Sequence, residues 1–547
     1  MPRGDAGMVP GGQQPPPAAP GDRVMALFRM RSHHSPEGHT FEDEASFRYL
    51  PVEMPMLRYR WPKVGWTVRW LPATVLQVSE TGAEVQWDHS NWVDWADGER
   101  VAAPRQWVAA VHLQPLGGGS DGSTCPSLGG WEPMLSIVEV RWGDLRRPVD
   151  YDPSSWGASA GSSVSPTFIG AMHEHFHRLG GGALEVLSIF ISRSADLSEV
   201  SEAFVRSQLR GRHLAALYFL WPAYGGDSTE AGSGYVEPSS LYNLMRSLES
   251  VGVPTRWPHC SHLAEALASK HWQPGASLDL ARRVPATTRV NRASVVRDPL
   301  HAARAALHRL QPQAAAQGLV AAAAAAEDTA CVAKLGFSYE ARAVVDCTGA
   351  AELANALTNL CDQHPFHDSV LVQARIPDCV LELRVGVVRG KVANIAYTRM
   401  ATVTETGYFC DFAQLSREEA VREWLLGKEE VLAAAEGQAR ELCRAWWAWL
   451  QAESSEALVS VRIDFLVRCS EQGLGEAWTC EVGEQGYSSV GWEDFPGIVF
   501  PEIFMDCLAD GDCEVDDCGC SAACEAAARG RTRRGPRNSE SREQPHG

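Results

Sequence analysis

From residue 167 onward the chain switches repeatedly between two hydrophobic periods, and this alternation limits its fold more than any other feature. Residues 167–179 have helical spacing and stop at the glycines 180–182, and residues 184–191 form a continuous apolar run of strand length. Residues 196–209 are polar and amphipathic, 213–220 are apolar again, and 237–251 return to helical spacing. Apolar strands separated by stretches long enough for a crossover helix make βαβ units, so the expected core is a layered α/β domain. The Ala-rich stretch 314–326 interrupts the later pattern and reads either as a helix end or as an insertion in a loop.

At roughly 150 residues per domain, the 547 residues suggest about three domains. The 49 Lys+Arg against 68 Asp+Glu give a net charge of −19, which disfavours non-specific attraction to nucleic acid or to an anionic membrane surface. The sequence has no apolar run long enough to span a bilayer, and its Pro/Gly/Gln-rich beginning lacks the apolar core of an export signal. Ten of the 15 cysteines are scattered singly between Cys125 and Cys480, as reduced structural thiols would be. No nucleic acid and no membrane are expected as partners, and the expected compartment is the cytoplasm.

Composition divides the chain further. Residues 1–40 read as a disordered leader, and 117–131 as a Gly/Ser-rich linker. Between them, residues 41–116 hold short apolar runs broken by turn signals and carry seven of the 19 tryptophans, an all-β pattern. The runs Trp66-Thr-Val-Arg-Trp-Leu-Pro-Ala-Thr-Val and Ala83-Glu-Val-Gln-Trp-Asp resemble the small SH3-like barrels of the Tudor and Agenet type. That resemblance makes Trp66, Trp87, Trp92 and Trp95 candidate walls of an aromatic cage for a methylated protein partner. The competing reading, which we favour, has these rings filling the core of a small barrel.

Several segments then follow in a fixed order. A helix pattern reaches Ser269-Lys270, and Val284-Pro-Ala-Thr287 comes next. Ala330-Cys-Val-Ala-Lys334 is a strand ending on a lysine, followed by the loop Leu335-Gly-Phe-Ser-Tyr-Glu-Ala-Arg342. After these come the apolar strand 369–376, the long hairpin 381–399 turned at Arg389-Gly390, and the acidic strands Val461-Arg-Ile-Asp-Phe and Trp478-Thr-Cys-Glu-Val-Gly-Glu484. This ordered set resembles the ATP-grasp superfamily. The resemblance implies a Rossmann-like pre-grasp domain over 132–257 and an ATP-grasp domain over 258–506, leaving 507–547 as a Cys-rich segment and a disordered basic tail. The whole is then a multidomain α/β (α+β) chain with a small N-terminal SH3-like β barrel.

The chemistry of ATP fits these residues. Its phosphates need a cation that reaches them from a strand end, for which Lys334 and Lys270 are candidates. Mg²⁺, with Mn²⁺ as the alternative, takes a few carboxylates plus phosphate oxygens, which suits Asp464, Glu481 and Glu484. The resemblance further implies nucleotide contacts from Ser338 in the phosphate loop, from the hinge residues Gln373, Ala374, Arg375 and Ile376, and from Glu382. It also marks residues 337–342 as a lid. Arg384 and Arg399, on opposite arms of the hairpin, are expected to aim together at a transferring phosphoryl group or a substrate carboxylate. The implied activity is ATP- and Mg²⁺-dependent ligation of a small-molecule carboxylate to an amine through an acylphosphate. The alternative is a non-catalytic nucleotide-binding scaffold whose Trp-rich module binds a protein partner.

Two departures from the family pattern stand out: the phosphate loop keeps only Gly336, and Gly483 occupies a position where Asn is common. His173-Glu-His-Phe-His177 matches a zinc-binding spacing, but Ala183 stands where a third histidine would be needed, and it reads as a polar helix face. The cysteines at 507, 513, 518, 520 and 524 lack paired C-x-x-C knuckles and read as free thiols or adventitious disulfides.

Overall fold

The computed structural model of the chain describes residues 19–29, 49–51, 64–79, 82–88, 92–94, 100–101, 105–109, 113–115, 135–142, 185–191, 213–219, 238–336, 343–363, 367–399, 402–403, 409–410, 413–454, 458–469, 473–483, 498–499, 501–503 and 506. They form a mixed α/β structure with three principal sheets. No helix among them is long and apolar enough to cross a membrane.

The first sheet begins with β1 (Arg23–Arg29), β2 (Val64–Val78), β3 (Gly82–Trp87), β4 (Arg105–Ala109) and β5 (Leu113–Pro115). It continues through β6 (Leu135–Trp142), β7 (Glu185–Ile191), β8 (His213–Phe219) and β9 (Thr255–Trp257). Strands β6 to β9 are mutually parallel in the spatial order β9-β8-β6-β7, as crossover connections require.

The N-terminal strands do not stand apart. β2 pairs antiparallel with β7, so a single nine-stranded sheet runs from β9 to β5, and no sheet among the described residues closes into a barrel. The reason lies in β2 itself, whose 15 residues reach β1 and β3 at one end and β7 at the other. β1 lies within the segment read as a disordered leader, and its full pairing with β2 corrects that reading for residues 23–29. Trp87 is 2% exposed and Trp70 4%, so Trp87 fills the core instead of walling a cage. The side chains of Trp66 and Trp92, and all of Trp95, lie outside the described residues, as do the linker, His173 and His177, and the cysteines from Cys507 onward.

The second sheet is antiparallel, in the order β10-β13-β11-β12, from β10 (Thr287–Asn291), β11 (Ala330–Leu335), β12 (Val344–Thr348) and β13 (Ser369–Ala374). One of its faces packs under two helices, Pro299–Ala316 and Gly349–Gln363, burying Cys331, Ala333 and Leu335 with Leu307, Leu310 and Leu357. The alternate residues Val332 and Lys334 take the other face, by the two-residue period of a strand. The helix 299–316 stops inside the Ala-rich stretch, which continues as turns.

The third sheet, also antiparallel, runs β16-β15-β14-β17-β18. Its strands are β14 (Cys379–Val388), β15 (Lys391–Arg399), β16 (Ala413–Leu415), β17 (Ser460–Cys469) and β18 (Gly475–Val482). The helix α1 (Glu429–Glu453) covers one face with Val431, Leu442, Trp446 and Leu450, against Leu383, Val385, Ile463 and Phe465. Trp446 is wholly buried and its indole N–H donates to Thr479 Oγ1 at 3.0 Å, so truncation to Ala should cost about 3–5 kcal/mol. The hairpin turns at Arg389-Gly390 with φ of 49° and 74°, the doubly left-handed pair of a tight two-residue turn.

Candidate functional site

Two lysines arrive from different directions. Lys334, the penultimate residue of β11, is 4% exposed, and its ammonium donates to Gln373 Oε1 at 2.9 Å. Lys270 follows the helix Ser261–Ala268, which Ser269 ends by turning extended (φ −95°, ψ 145°). A short 3₁₀ turn over Lys270–Trp272 then presents its ammonium to Glu481 Oε1 at 2.9 Å. Burial pushes Lys334 down to about 8, with Cys480 and Glu481 pulling the other way and Lys270 adding to the depression.

The acids come from the third sheet. Arg384 on β14 lies directly opposite Asp464 on β17, and Asp464 directly opposite Glu481 on β18, so one row of three charges crosses three strands on one face. Glu382 and Arg462 stand two residues along their strands and share that face. Asp464, 1% exposed, is gripped by Arg462 through Nε to Oδ1 at 2.8 Å and Nη2 to Oδ2 at 2.5 Å. Arg384 Nε donates to Glu382 Oε2 at 2.9 Å. Burial raises the Glu382 carboxyl, an effect that Arg384 only partly offsets. Burial would also raise Glu481, but Lys270, backed by Lys334 and Arg462, holds it below the usual carboxylate range.

Four cations (Lys270, Lys334, Arg384, Arg462) therefore meet three carboxylates (Glu382, Asp464, Glu481). Three pairs close, and 4 minus 3 leaves one positive charge, on Lys334, whose described hydrogen-bond partner is a neutral amide. A buried ammonium without a counter-ion is costly, and an incoming anion relieves that cost.

A line of amides sets the position of this lysine. Gln373 Nε2 donates to Thr287 Oγ1 at 2.9 Å and approaches Gln273 Oε1 at 3.4 Å, while Gln273 Nε2 donates to the Cys480 carbonyl at 2.6 Å. The second and third sheets are thus joined through buried side chains beside Lys334. The sequence reading missed Gln273 and Arg462. Arg462 was open to a parity argument, being two residues before Asp464 on a strand, whereas nothing in the local pattern marks Gln273.

The other expected residues divide. Ala374 ends β13 and Arg375 and Ile376 follow it, but the backbone N–H of Ala374 donates to Ala286 O at 2.8 Å and that of Arg375 to Ala330 O at 3.2 Å; the Arg375 side chain pairs with Asp346 at 3.3 Å. Those two amide groups are therefore committed within the protein. Arg399 does not join Arg384. A regular hairpin turned at Arg389-Gly390 would put both on one face, but a bulge after Val387↔Val392 shifts the register, so Arg399 stands opposite Leu381. It shares the face of Leu383, Tyr397 and the helix α1, away from the charged row. Ser338, Glu484 and the loop 337–342 lie outside the described residues.

Asp464 and Glu481, adjacent on neighbouring strands, fit the one or two carboxylates that Mg²⁺ takes alongside phosphate oxygens. A group of three or more His, Cys, Asp or Glu side chains suited to hold a metal unaided is not found among the described residues.

No protein-family model and no curated protein matches this chain. Solved structures resemble it at low identity. A D-alanine–D-alanine ligase from Bacillus anthracis is 14% identical, with 73% of this chain and 99% of that chain covered and a TM-score of 0.39. A D-cycloserine synthetase is 14% identical, covering 68% and 98%, with a TM-score of 0.41. An L-amino acid ligase from Bacillus licheniformis is 12% identical, covering 68% and 75%, with a TM-score of 0.35.

Proposed function

We propose that this chain is an ATP-dependent ligase of the ATP-grasp type, joining a small-molecule carboxylate to an amine. The observation that carries the reading is the buried charge on Lys334, which no carboxylate among the described residues pairs, set beside a row of paired acids and cations. Such a site attracts a polyanion, and the surplus charge lies where phosphate would be received. Mg²⁺, when bound, supplies charge neutralisation at the phosphates, and Asp464 and Glu481 are the residues that would hold it.

The chain's own groups then have distinct tasks. Lys334 and Lys270 bind phosphate oxygens, and Gln373 with Gln273 orients Lys334 for that contact. Arg462 and Arg384, already ordered by Asp464 and Glu382, meet the charge that develops when the γ-phosphoryl group passes to a substrate carboxylate. An amine attacking the resulting acylphosphate completes the ligation. This intermediate hydrolyses readily, so such a site works best when water is excluded from it.

Calorimetric titration of the purified chain with a non-hydrolysable ATP analogue, with and without Mg²⁺, tests the reading. The expected result is Mg²⁺-dependent binding that Lys334→Met abolishes. Absence of binding by the wild-type chain, or equal binding by Lys334→Met, would refute it.

A further inference from the structure

Outside the charged row, the second sheet places two thiols face to face. Cys331 on β11 and Cys347 on β12 are direct register partners, and both sit in the apolar core under the two helices, 0% and 2% exposed. The bonding pattern fixes their spacing. Leu335 N–H donates to Ala343 O and Gly349 N–H to Thr329 O, so the hydrogen-bonded pairs of this ladder fall on the odd-numbered residues. Cys331–Cys347 is therefore one of them, with Cα atoms about 5.5 Å apart. That lies inside the disulfide Cα range of about 4.4–6.8 Å, while the Cβ atoms of a hydrogen-bonded pair stand towards the wide end of about 4.5–5.5 Å, so closing the bond to the disulfide Cβ range of about 3.5–4.5 Å draws the two strands together.

The position gives the pair a consequence. β11 and β12 are the two arms of the hairpin that carries Lys334 and the loop after it, and among the described residues β12 is the last strand of its sheet. We infer that Cys331 and Cys347 are a reversible disulfide site that staples the base of this hairpin. A small disulfide such as oxidised glutathione is the oxidant. One cysteine thiolate attacks a glutathione sulfur and expels one glutathione thiolate, and the second cysteine thiolate then displaces the other. One S–S bond breaks, one forms, and the two protons end on the two glutathione thiols. The facing Cys347 thiol and burial push the Cys331 thiol well up, so exchange proceeds through local opening of β12 and is slow.

The full-length chain is equilibrated in glutathione buffers of increasing oxidised fraction, quenched with acid, alkylated with N-ethylmaleimide in denaturant, digested without reduction and mapped by mass spectrometry. The expected product is a peptide pair joined through Cys331 and Cys347, lighter by two hydrogens and restored by dithiothreitol. Recovery of both residues as maleimide adducts at every ratio overturns the inference, as does linkage of either to another cysteine or to glutathione. A second readout rests on the ligase reading: the affinity for the ATP analogue should change at least threefold on oxidation, and not in Cys347→Ala. A cross-link without nucleotide binding in either redox state upholds the disulfide site and removes the ligase reading, so the two claims fail separately.

Discussion

The backbone N–H of Lys270 donates to the carbonyl of Gly336 at 2.6 Å, while the Lys270 ammonium reaches Glu481 at 2.9 Å, so one residue ties the end of β11 in the second sheet to β18 in the third. The arrangement depends on Gly336 lacking a side chain. Its neighbour is His271, the residue after Lys270, and a Cβ on Gly336 would stand 2.3 Å from the ring Nε2.

Gly336→Ala should therefore displace His271 and Lys270 together. Overpacking of this kind costs about 1–3 kcal/mol, and we expect nucleotide affinity to fall roughly tenfold while the fold persists. His271→Ala removes the obstacle, so the double variant should regain most of the affinity. A calorimetric double-mutant cycle in which the two losses simply add would disprove this steric account.

Replacing Asp464 separates charge pairing from function. Asp464→Asn leaves Arg462 buried without its carboxylate, a loss of about 3–5 kcal/mol when a buried pair is broken. The expected outcome is a lower urea midpoint together with loss of Mg²⁺-dependent nucleotide binding. Converting both members to apolar residues of similar volume, Arg462→Met with Asp464→Leu, should restore the midpoint but not the binding. If the double variant is as unstable as the single, the buried pair contributes more than its mutual compensation.

The surplus charge makes a pH prediction. Lys334 is held down to about 8 by burial, against about 10.4 for an unfolded lysine. Between these values the unfolded chain binds the proton that the folded chain has released, so stability rises with pH across that window. Nucleotide binding runs the other way, since phosphate favours the charged amine: affinity should weaken as pH climbs through 8. Lys334→Met should flatten the stability trend between pH 8 and 10, and an unchanged slope in urea titrations would sink the assignment.

How much of this site could be read from the sequence depended on how local each signal was. Lys334 at a strand end, Asp464 and Glu481 on paired strands, and the turn at Arg389-Gly390 all follow from short patterns, and the strands lie where those patterns put them. The pairing of Arg384 with Arg399 failed because one bulged residue on β15 inverts every side chain beyond it, and no residue type announces that bulge. The Gln273 contact to Cys480 joins positions 207 apart, which no periodicity reports. At the N-terminus the aromatic pattern did mark strands, but not that β2 is long enough to join the parallel strands of the same sheet.

The acid limit of stability should belong partly to His259. This side chain is fully enclosed, and burial lowers it to about 4 against a smaller opposing pull from the Gly483 backbone. Unfolded, it titrates near 6.5. From pH 6.5 down to 4 the unfolded chain takes up a proton that the folded chain refuses, so stability falls as pH falls through this window. Between pH 7 and pH 5 the single group accounts for about 2 kcal/mol. His259→Leu keeps the volume and removes the titration, so its urea midpoint should fall less over that interval than that of the wild-type chain. Equal falls in the two proteins would show that His259 does not set the acid limit.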